Sequence, residues 1–529
     1  MTEKSRNNAG QEKPDKGFYF LGGRQYPRVQ WTKDPNMRKL YIYCFLLILV
    51  NVANGFDGSM MNGLQSLPLW QDYFDHPVGV RLSLFGSAMT LGGLLALPVI
   101  PWCCDHLGRK KTVIIGSFII LLGVALQAGA INFPMFFAAR IILGTGMTLA
   151  TTAGPLLVAE IAHPQDRAIL TTFMGLAYAI GSFVASWVTF GTLKIPNDWA
   201  WRVPSLLQCW CTVIILCIIW WIPESPRFYI ARDEHEKALA ILAHYHGAGD
   251  ENNEIVQLEY NEIRTAIAMD RENNINSSWM DFVSTPGNRK RLMLVVALAA
   301  FAQWSGNGIV SYYLKLVLDG IGITNSQDQL GINSGSKTMS LLVNLGVAFF
   351  IDRFGRRPIL LVSTTGMFVM FLIWTILSAL YNKDAPNPAL GRAVVGLIYA
   401  YNFCYNFKTG LPLTYTTEIL PYGLRAKGAA VSVVTTTATV FFNQFINPIA
   451  MNNIQWRYYI FYVCFLAFEI VFLYFMVVET RYVPMEEIAK HFDGEQADVA
   501  AVAAGKTAEL EHGAAVSHVE ISHGRKADV

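Results

Sequence analysis

The sequence predicts an all-α integral membrane protein, with twelve transmembrane helices in two pseudo-symmetric six-helix halves. Three observations predict it. Twelve long apolar stretches, each closed by a polar or charged connection, run from about Lys39 to about Val478. The chain is 53% hydrophobic and only 15% charged, where soluble domains carry about 25% charged residues. A set of charged motifs occurs twice, once in each half of the chain. A bilayer core needs roughly 20 apolar residues per helical crossing, because an unpaired backbone amide in lipid costs several kcal/mol.

The stretches place spans at about 39–56, 82–103, 112–131, 135–159, 168–190 and 203–222 in the first half. In the second they fall at about 292–317, 332–351, 358–380, 393–417, 428–449 and 457–478. Residues 1–38 are polar and basic with no apolar core for a cleaved signal, so they read as a cytoplasmic tail and span 1 as the insertion signal. Residues 39–223 form the first half, 224–291 a cytoplasmic helical loop, 292–478 the second half and 479–529 a cytoplasmic tail. Within the loop, Ala238–His246 reads as a helix stopped by Gly247 and Gly249, and Gln257–Arg271 as a second. The tail beyond Glu487 is Ala-, Glu- and His-rich, which predicts disorder. Lys and Arg concentrate in the connections assigned to the cytosol, above all at Arg109–Lys111 and Arg353–Arg357, which puts both termini inside.

Composition excludes several functions. Net charge is only +2, so there is no nucleic-acid footprint. No Gly-Lys-Ser/Thr phosphate loop is present, and no His or Cys cluster has metal-ligand spacing. No catalytic group, metal or cofactor is implied, and an enzyme is not expected. The eight Cys lie in or beside apolar segments and read as packing residues. His163, His244 and His246 fall in or beside loops, where solvated roles suffice.

The repeat is explicit. Asp105-His-Leu-Gly-Arg-Lys110 recurs as Asp352-Arg-Phe-Gly-Arg-Arg357, and Glu160…Arg167 as Glu418…Arg425. Pro223-Glu-Ser-Pro-Arg227 is echoed by Val478-Glu-Thr-Arg481. Parallel repeats of this length are a habit of secondary transporters. Together with Arg140-x-x-x-Gly144-x-Gly146, Gln303-Trp-Ser-Gly-Asn307 and Tyr312-Tyr313, these motifs resemble the sugar porter family of the major facilitator superfamily. The likeness covers nearly all of residues 40–490. Asn54–Gly63, His244–Asp250 and Asn443–Pro448 resemble its fungal lactose, cellodextrin and hexose permease branch. The resemblance implies uptake of a sugar or sugar-related solute across the plasma membrane by alternating access, in a monomer whose partners are solute, protons and the lipid bilayer. A non-transporting sugar sensor or a metabolite exporter on the same scaffold is the alternative.

Candidate site residues follow. Asp57 lies between Gly55 and Gly58 at the end of span 1, and Arg140 lies inside span 4. Charges at membrane depth are costly and usually functional. The resemblance implies that this acid and base form a proton-coupling pair; the simpler reading of Asp57 is a loop acid. Gln303 and Asn307 are i and i+4, so they share a helix face. Their amides suit sugar hydroxyls. Tyr312, Tyr313 and Asn443 complete that set. The resemblance is broken at Gly175, Ala302, Gly308 and Leu413, so the usual hexose site is incomplete. Lys337 in span 8 and Lys408 in span 10 bring two cations instead. Lys408 stands ten residues before Glu418, roughly 15 Å up a helix. Two cations facing a cavity favour an anion, which makes a sugar acid such as galacturonate nearly equal to a neutral mono- or disaccharide.

The simpler reading of the repeated charges is topology, with basic residues holding the turns inside; the resemblance implies an inner gate as well. Glu160, Arg167, Glu224 and Arg227 pair with the Asp105–Arg109 turn, and Glu418, Arg425 and Glu479 with the Asp352–Arg356 turn. These pairs are expected to form when the cavity faces outward and to break when it faces inward.

Overall fold

The computed structural model describes residues 18–21, 24–276, 278–350, 355–383, 387–481, 483 and 485–493. Span 1 is Pro35–Gln65, span 2 is Gly79–Ala96 continued by Val99–His106, and span 3 is Arg109–Ala128. Span 4 is Phe133–Ile161, span 5 is Arg167–Thr192, and span 6 is Trp199–Leu207 with Cys209–Ile218. In the second half, span 7 is Pro286–Trp304 with Asn307–Asp319, span 8 is Ser326–Phe350 and span 9 is Arg356–Lys383. Span 10 is Pro388–Asn406 with Leu411–Ile419, span 11 is Tyr422–Ile454 and span 12 is Tyr458–Met476.

The starts of these helices are written locally. Asp34, Asn132, Thr285 and Asn387 each accept a hydrogen bond from a backbone N–H of the first turn, and each precedes a proline at N1 or N2. Such caps satisfy donors that the helix cannot, and proline loses nothing there. Small residues then let the helices close up. A Cβ on Gly144 would stand 1.9 Å from the Met89 carbonyl oxygen, so only glycine lets span 4 lie against span 2 there.

Among the described residues, nine helical stretches are long and apolar enough to cross a bilayer by length and composition, the last of them, Gly423–Met476, taking in both span 11 and span 12. Spans 8 and 10 fall short because each carries a polar face, and the two faces meet. Asn402 Nδ2 donates to Ser336 Oγ at 2.9 Å, Asn406 Nδ2 to Ser340 Oγ at 3.1 Å and Asn344 Nδ2 to Asn406 Oδ1 at 3.3 Å. Polar side chains at this depth hold helices together because lipid offers them no partner.

Two ends can be told apart. One, the turn end, carries the turns at Gly108 and Gly355, where span 1 begins and span 12 finishes. At the far end a single apolar core joins the halves, with Met60, Met61 and Leu64 of span 1 packed among Ile309, Val310 and Leu314 of span 7. At the turn end each half has its own core instead, one around Leu47, Leu143 and Leu157, the other around Leu294, Tyr415 and Leu473. Among the described residues, the halves therefore share one apolar core at the far end and have separate cores at the other, where the loop helix Glu254–Asn276 still approaches span 11.

Beyond the bundle, Pro226–Ala231, His235–His246 and Glu254–Asn276 form a small helical layer with a core of its own around Leu242 and Val256. A hairpin, Phe18–Leu21 paired with Arg24–Pro27, rests on it through the Tyr26 hydroxyl, which donates to Glu254 at 3.0 Å. The expected polar tail 1–38 thus contains ordered structure. The disorder expected beyond Glu487 does not hold as far as Asp493, since Met485–Asp493 is a helix whose Asp493 pairs with Arg291 at 2.7 Å. The rest of that tail lies outside the described residues.

Candidate functional site

The seal at the far end is built on span 1. Asn62 Nδ2 donates to the Val310 carbonyl at 3.3 Å and to Asn333 Oδ1 at 3.1 Å, while Asn62 Oδ1 accepts from Leu314 N at 3.1 Å. Gln65 Nε2 donates to the Tyr312 carbonyl at 2.9 Å. Ser334 and Thr338 of span 8 are tied to Ser186 and Trp187 of span 5 at 3.0 and 3.1 Å. Nearer mid-span, Thr90 Oγ1 donates to Gln444 Oε1 at 2.5 Å. Span 1 therefore runs nine residues beyond its expected end at 56, because its polar tip finds partners in the other half.

That extension relocates Asp57. It is not at a mouth; it is fully buried within span 1, and neither carboxyl oxygen has a hydrogen-bond partner. Arg140 is 2% exposed, its Nε and Nη1 also lack partners, and its Nη2 reaches only Met89 Sδ at 3.7 Å. The two charges are near enough to act on each other, yet they form no direct ion pair. Gly55 lets the Tyr178 backbone of span 5 approach, since a Cβ there would lie 2.0 Å from the Tyr178 carbonyl oxygen. Tyr178 itself stays 41% exposed, with its hydroxyl against Gly58 of span 1, where a Cβ would lie 2.7 Å from it.

Span 7 is not one helix. Gly306 is left-handed at φ +96°, and a Cβ there would also strike the Phe371 ring at 2.7 Å. Gln303 and Asn307 therefore flank a break and do not share a continuous face. Asn443 closes the break, donating to the Gln303 carbonyl at 2.9 Å and accepting from Asn447 at 2.7 Å. Its amide is thus committed to structure, contrary to the substrate role expected of it. Asn307 Oδ1 accepts from Ser311 at 2.7 Å, whereas Gln303 Oε1 has no partner. Tyr313 is fully buried with its hydroxyl on the Gln444 carbonyl at 2.5 Å. It belongs to the seal, while Tyr312 borders the open space.

The two lysines part company. Lys408 Nζ meets Glu469 Oε1 at 2.6 Å and Ser305 Oγ at 2.8 Å, and the Ser305 hydroxyl also reaches Glu469 Oε2 at 2.8 Å. All three are buried. Lys408 is a neutralised element of the second half and presents no free charge, which removes one of the two cations expected to draw an anion. Lys337 makes no hydrogen bond or ion pair with a described residue, and no charged group acts on it.

The repeated charges form clasps inside each half. Glu224 accepts from Arg109 N and Lys110 N at 3.1 Å, and Glu479 from Arg356 N and Arg357 N at 2.9 and 3.1 Å. Each carboxylate caps the positive start of a helix. Arg109 Nε pairs with Glu160 at 3.0 Å and Arg356 with Glu418 at 3.1 Å. Gly108 and Gly355 make room, for a Cβ would lie 2.4 and 2.2 Å from those caps. Burial pushes Glu224 above the usual carboxylate range despite its backbone donors. These pairs join turns and helices of the same half, and they are intact at the end where the two halves have distinct apolar cores. Asp105 and Arg227 are exposed and bond to no described residue. Asp352 lies outside the described residues, and Arg425 is engaged.

Arg167 leaves the expected set altogether and pairs with Glu259 at 2.9 Å. Glu259 also holds His246 Nδ1 at 2.6 Å, and the His246 ring lies 5.0 Å from that of His163. Burial opposes ionisation of Glu259, but His246 and Arg167 outweigh it and hold the carboxyl below its ordinary range. His163 and His246 are buried, not solvated. Burial pushes His163 down to about 3. The loop helices are thereby riveted to the end of span 4.

Two six-helix halves, a sealed far end and duplicated carboxylate clasps call for comparison with known chains. A model of the family described as "Sugar (and other) transporter" matches residues 43–492. The chain belongs to that family. It is a membrane transporter of the major facilitator fold, not an enzyme. The MFS-type transporter oryC of Aspergillus oryzae is 31% identical over 395 residues, covering 73% of this chain and 72% of that one. The high-affinity glucose transporter of Kluyveromyces lactis is 26% identical over 490 residues, 89% and 88% of the two chains. The partially occluded inward-open form of the xylose transporter XylE from E. coli superposes with a TM-score of 0.68. It is 19% identical and covers 84% of this chain and 99% of its own, which shows the fold.

Sequence reasoning missed Asn62, Gln65, Tyr178, Asn333 and Gln444. Asn62 and Gln444 stood inside quoted motifs. The missing signal was continuity of span 1 past its apolar run.

Proposed function

We propose that this chain is a proton-coupled transporter that takes up a sugar or sugar-related solute by alternating access, with both termini in the cytosol and the plasma membrane as its site. The turn end then faces the cytosol, and the structure corresponds to an inward-facing state. Family membership and the glucose and xylose transporters among its relatives support a sugar as solute. Asp57 carries the proposal of coupling. An anionic carboxylate with no hydrogen bond in an apolar bundle is expensive unless a cation offsets it. Arg140 is that cation, but it does not touch the acid in this state. Taking up one proton removes the cost and frees Arg140; losing it draws the two together. One proton therefore biases the packing of spans 1 and 4, and with them the balance between states.

The test is uptake in proteoliposomes with an imposed pH gradient. Asp57→Asn is expected to abolish accumulation against a gradient while equilibrium counterflow of the same solute continues. Uphill uptake persisting undiminished in that variant would refute coupling through Asp57.

A further inference from the structure

Lys337 and Asn333 are one helical turn apart on span 8, so their side chains lie on the same face. That face is bracketed by contacts with the first half. Asn333 is held through its Oδ1 by Asn62 of span 1, while Ser334 and Thr338 touch span 5. Lys337 therefore points toward the first half, one turn below the seal, in the roof of the space between the halves. It is deep in the bundle yet keeps some accessible surface, as a residue lining a cavity does. Beside it, Asn333 Nδ2 is a second donor with no partner, on a residue only 3% exposed. No described acid is close enough to act on Lys337.

We infer that Lys337 and Asn333 form an anion-recognition site, and that the transported solute is a polyhydroxylated carboxylate, the acid of a sugar. The inference rests on the transport reading above and names its substrate class. A buried ammonium and an orphan amide donor leave a shortage of negative charge and of acceptors, which a carboxylate supplies through its two oxygens. A neutral sugar offers a hydroxyl, which satisfies the amide and leaves the ammonium uncompensated in the bundle. The neutralised Lys408–Glu469 pair sharpens the point, for it leaves Lys337 as the one of the two lysines that no described acid offsets, and Gln303 Oε1 is an acceptor without a partner for a sugar hydroxyl.

The probes are labelled D-galacturonate and D-galactose, which share ring stereochemistry and differ in the oxidation of C6. In proteoliposomes with a pH gradient, the full-length protein is expected to take up galacturonate in preference to galactose. Lys337→Gln should lower galacturonate uptake by roughly 10- to 100-fold, the worth of a charge-assisted hydrogen bond, and leave galactose uptake within about twofold. Lys337→Arg should restore most of the loss, which separates lost charge from lost folding. Equal losses for both probes in Lys337→Gln, or a wild-type preference for galactose, would overturn the inference and leave sugar transport standing. Transport of neither probe would overturn the inference, and glucose uptake by the same vesicles would then decide whether sugar transport stands.

Discussion

In the second half, Lys408 and Glu469 meet at 2.6 Å with Ser305 bridging them. In the first half, Asp57 and Arg140 are equally buried, but four of their polar atoms have no hydrogen-bond partner. The same kind of charge pair has been used in two ways. A pair whose members satisfy each other has one stable arrangement, and changing its protonation costs the whole network. In the proposed coupling, the pair held apart has two arrangements, and one proton chooses between them. Buried ionic groups therefore carry no single meaning: hydrogen-bond completeness separates a strut from a switch.

The widest split between the two pairs should appear in stability. Lys408→Met leaves Glu469 uncompensated and is expected to cost roughly 3–5 kcal/mol, read as a lower unfolding midpoint in detergent. The double variant Lys408→Met with Glu469→Leu should recover most of it. Asp57→Asn, which removes an unsatisfied charge, should leave the midpoint unchanged or raise it. A loss in Asp57→Asn as large as in Lys408→Met would erase the distinction. A smaller effect sharpens the symmetry of the clasps: Glu224→Gln and Glu479→Gln should each cost about 1–3 kcal/mol, and similar midpoints would show that both turns are held alike.

The smallest effect concerns His163. Its folded value of about 3 lies below the ordinary 6.5. Between those values the unfolded chain binds more protons, so stability from the neutral ring is present above about pH 6.5 and fades as pH falls toward 3. Hydrogen exchange across Phe18–Pro27, which packs on His163 through Tyr19, should quicken through that window. His163→Gln should flatten the response.

Helix number, the two-fold repeat and the loop helices were all legible, because apolar run length and capping chemistry are local. Depth along a helix was legible for Lys408, which is buried as its distance from Glu418 implied, but not for Asp57, because the end of span 1 was set too early. Azimuth was not. Nothing in span 10 says that Lys408 turns toward Glu469 of span 12, and nothing in the clasp motifs says that Arg167 turns to Glu259. The break in span 7 had a signal in the Ser305-Gly-Asn-Gly308 run; reading Gln303 and Asn307 as i and i+4 overlooked it. Span 1 was cut short because hydropathy falls at Asn62 and Gln65, whose partners come from the other half.

Asn62 deserves a last thought for what it concentrates. One side chain touches three backbone or side-chain groups of spans 7 and 8, and all three must part before the far side can open. That amide shares the seal with the apolar core around it and with Gln65, Ser334 and Thr338, so loss of Asn62 alone would loosen the far end without unlocking it.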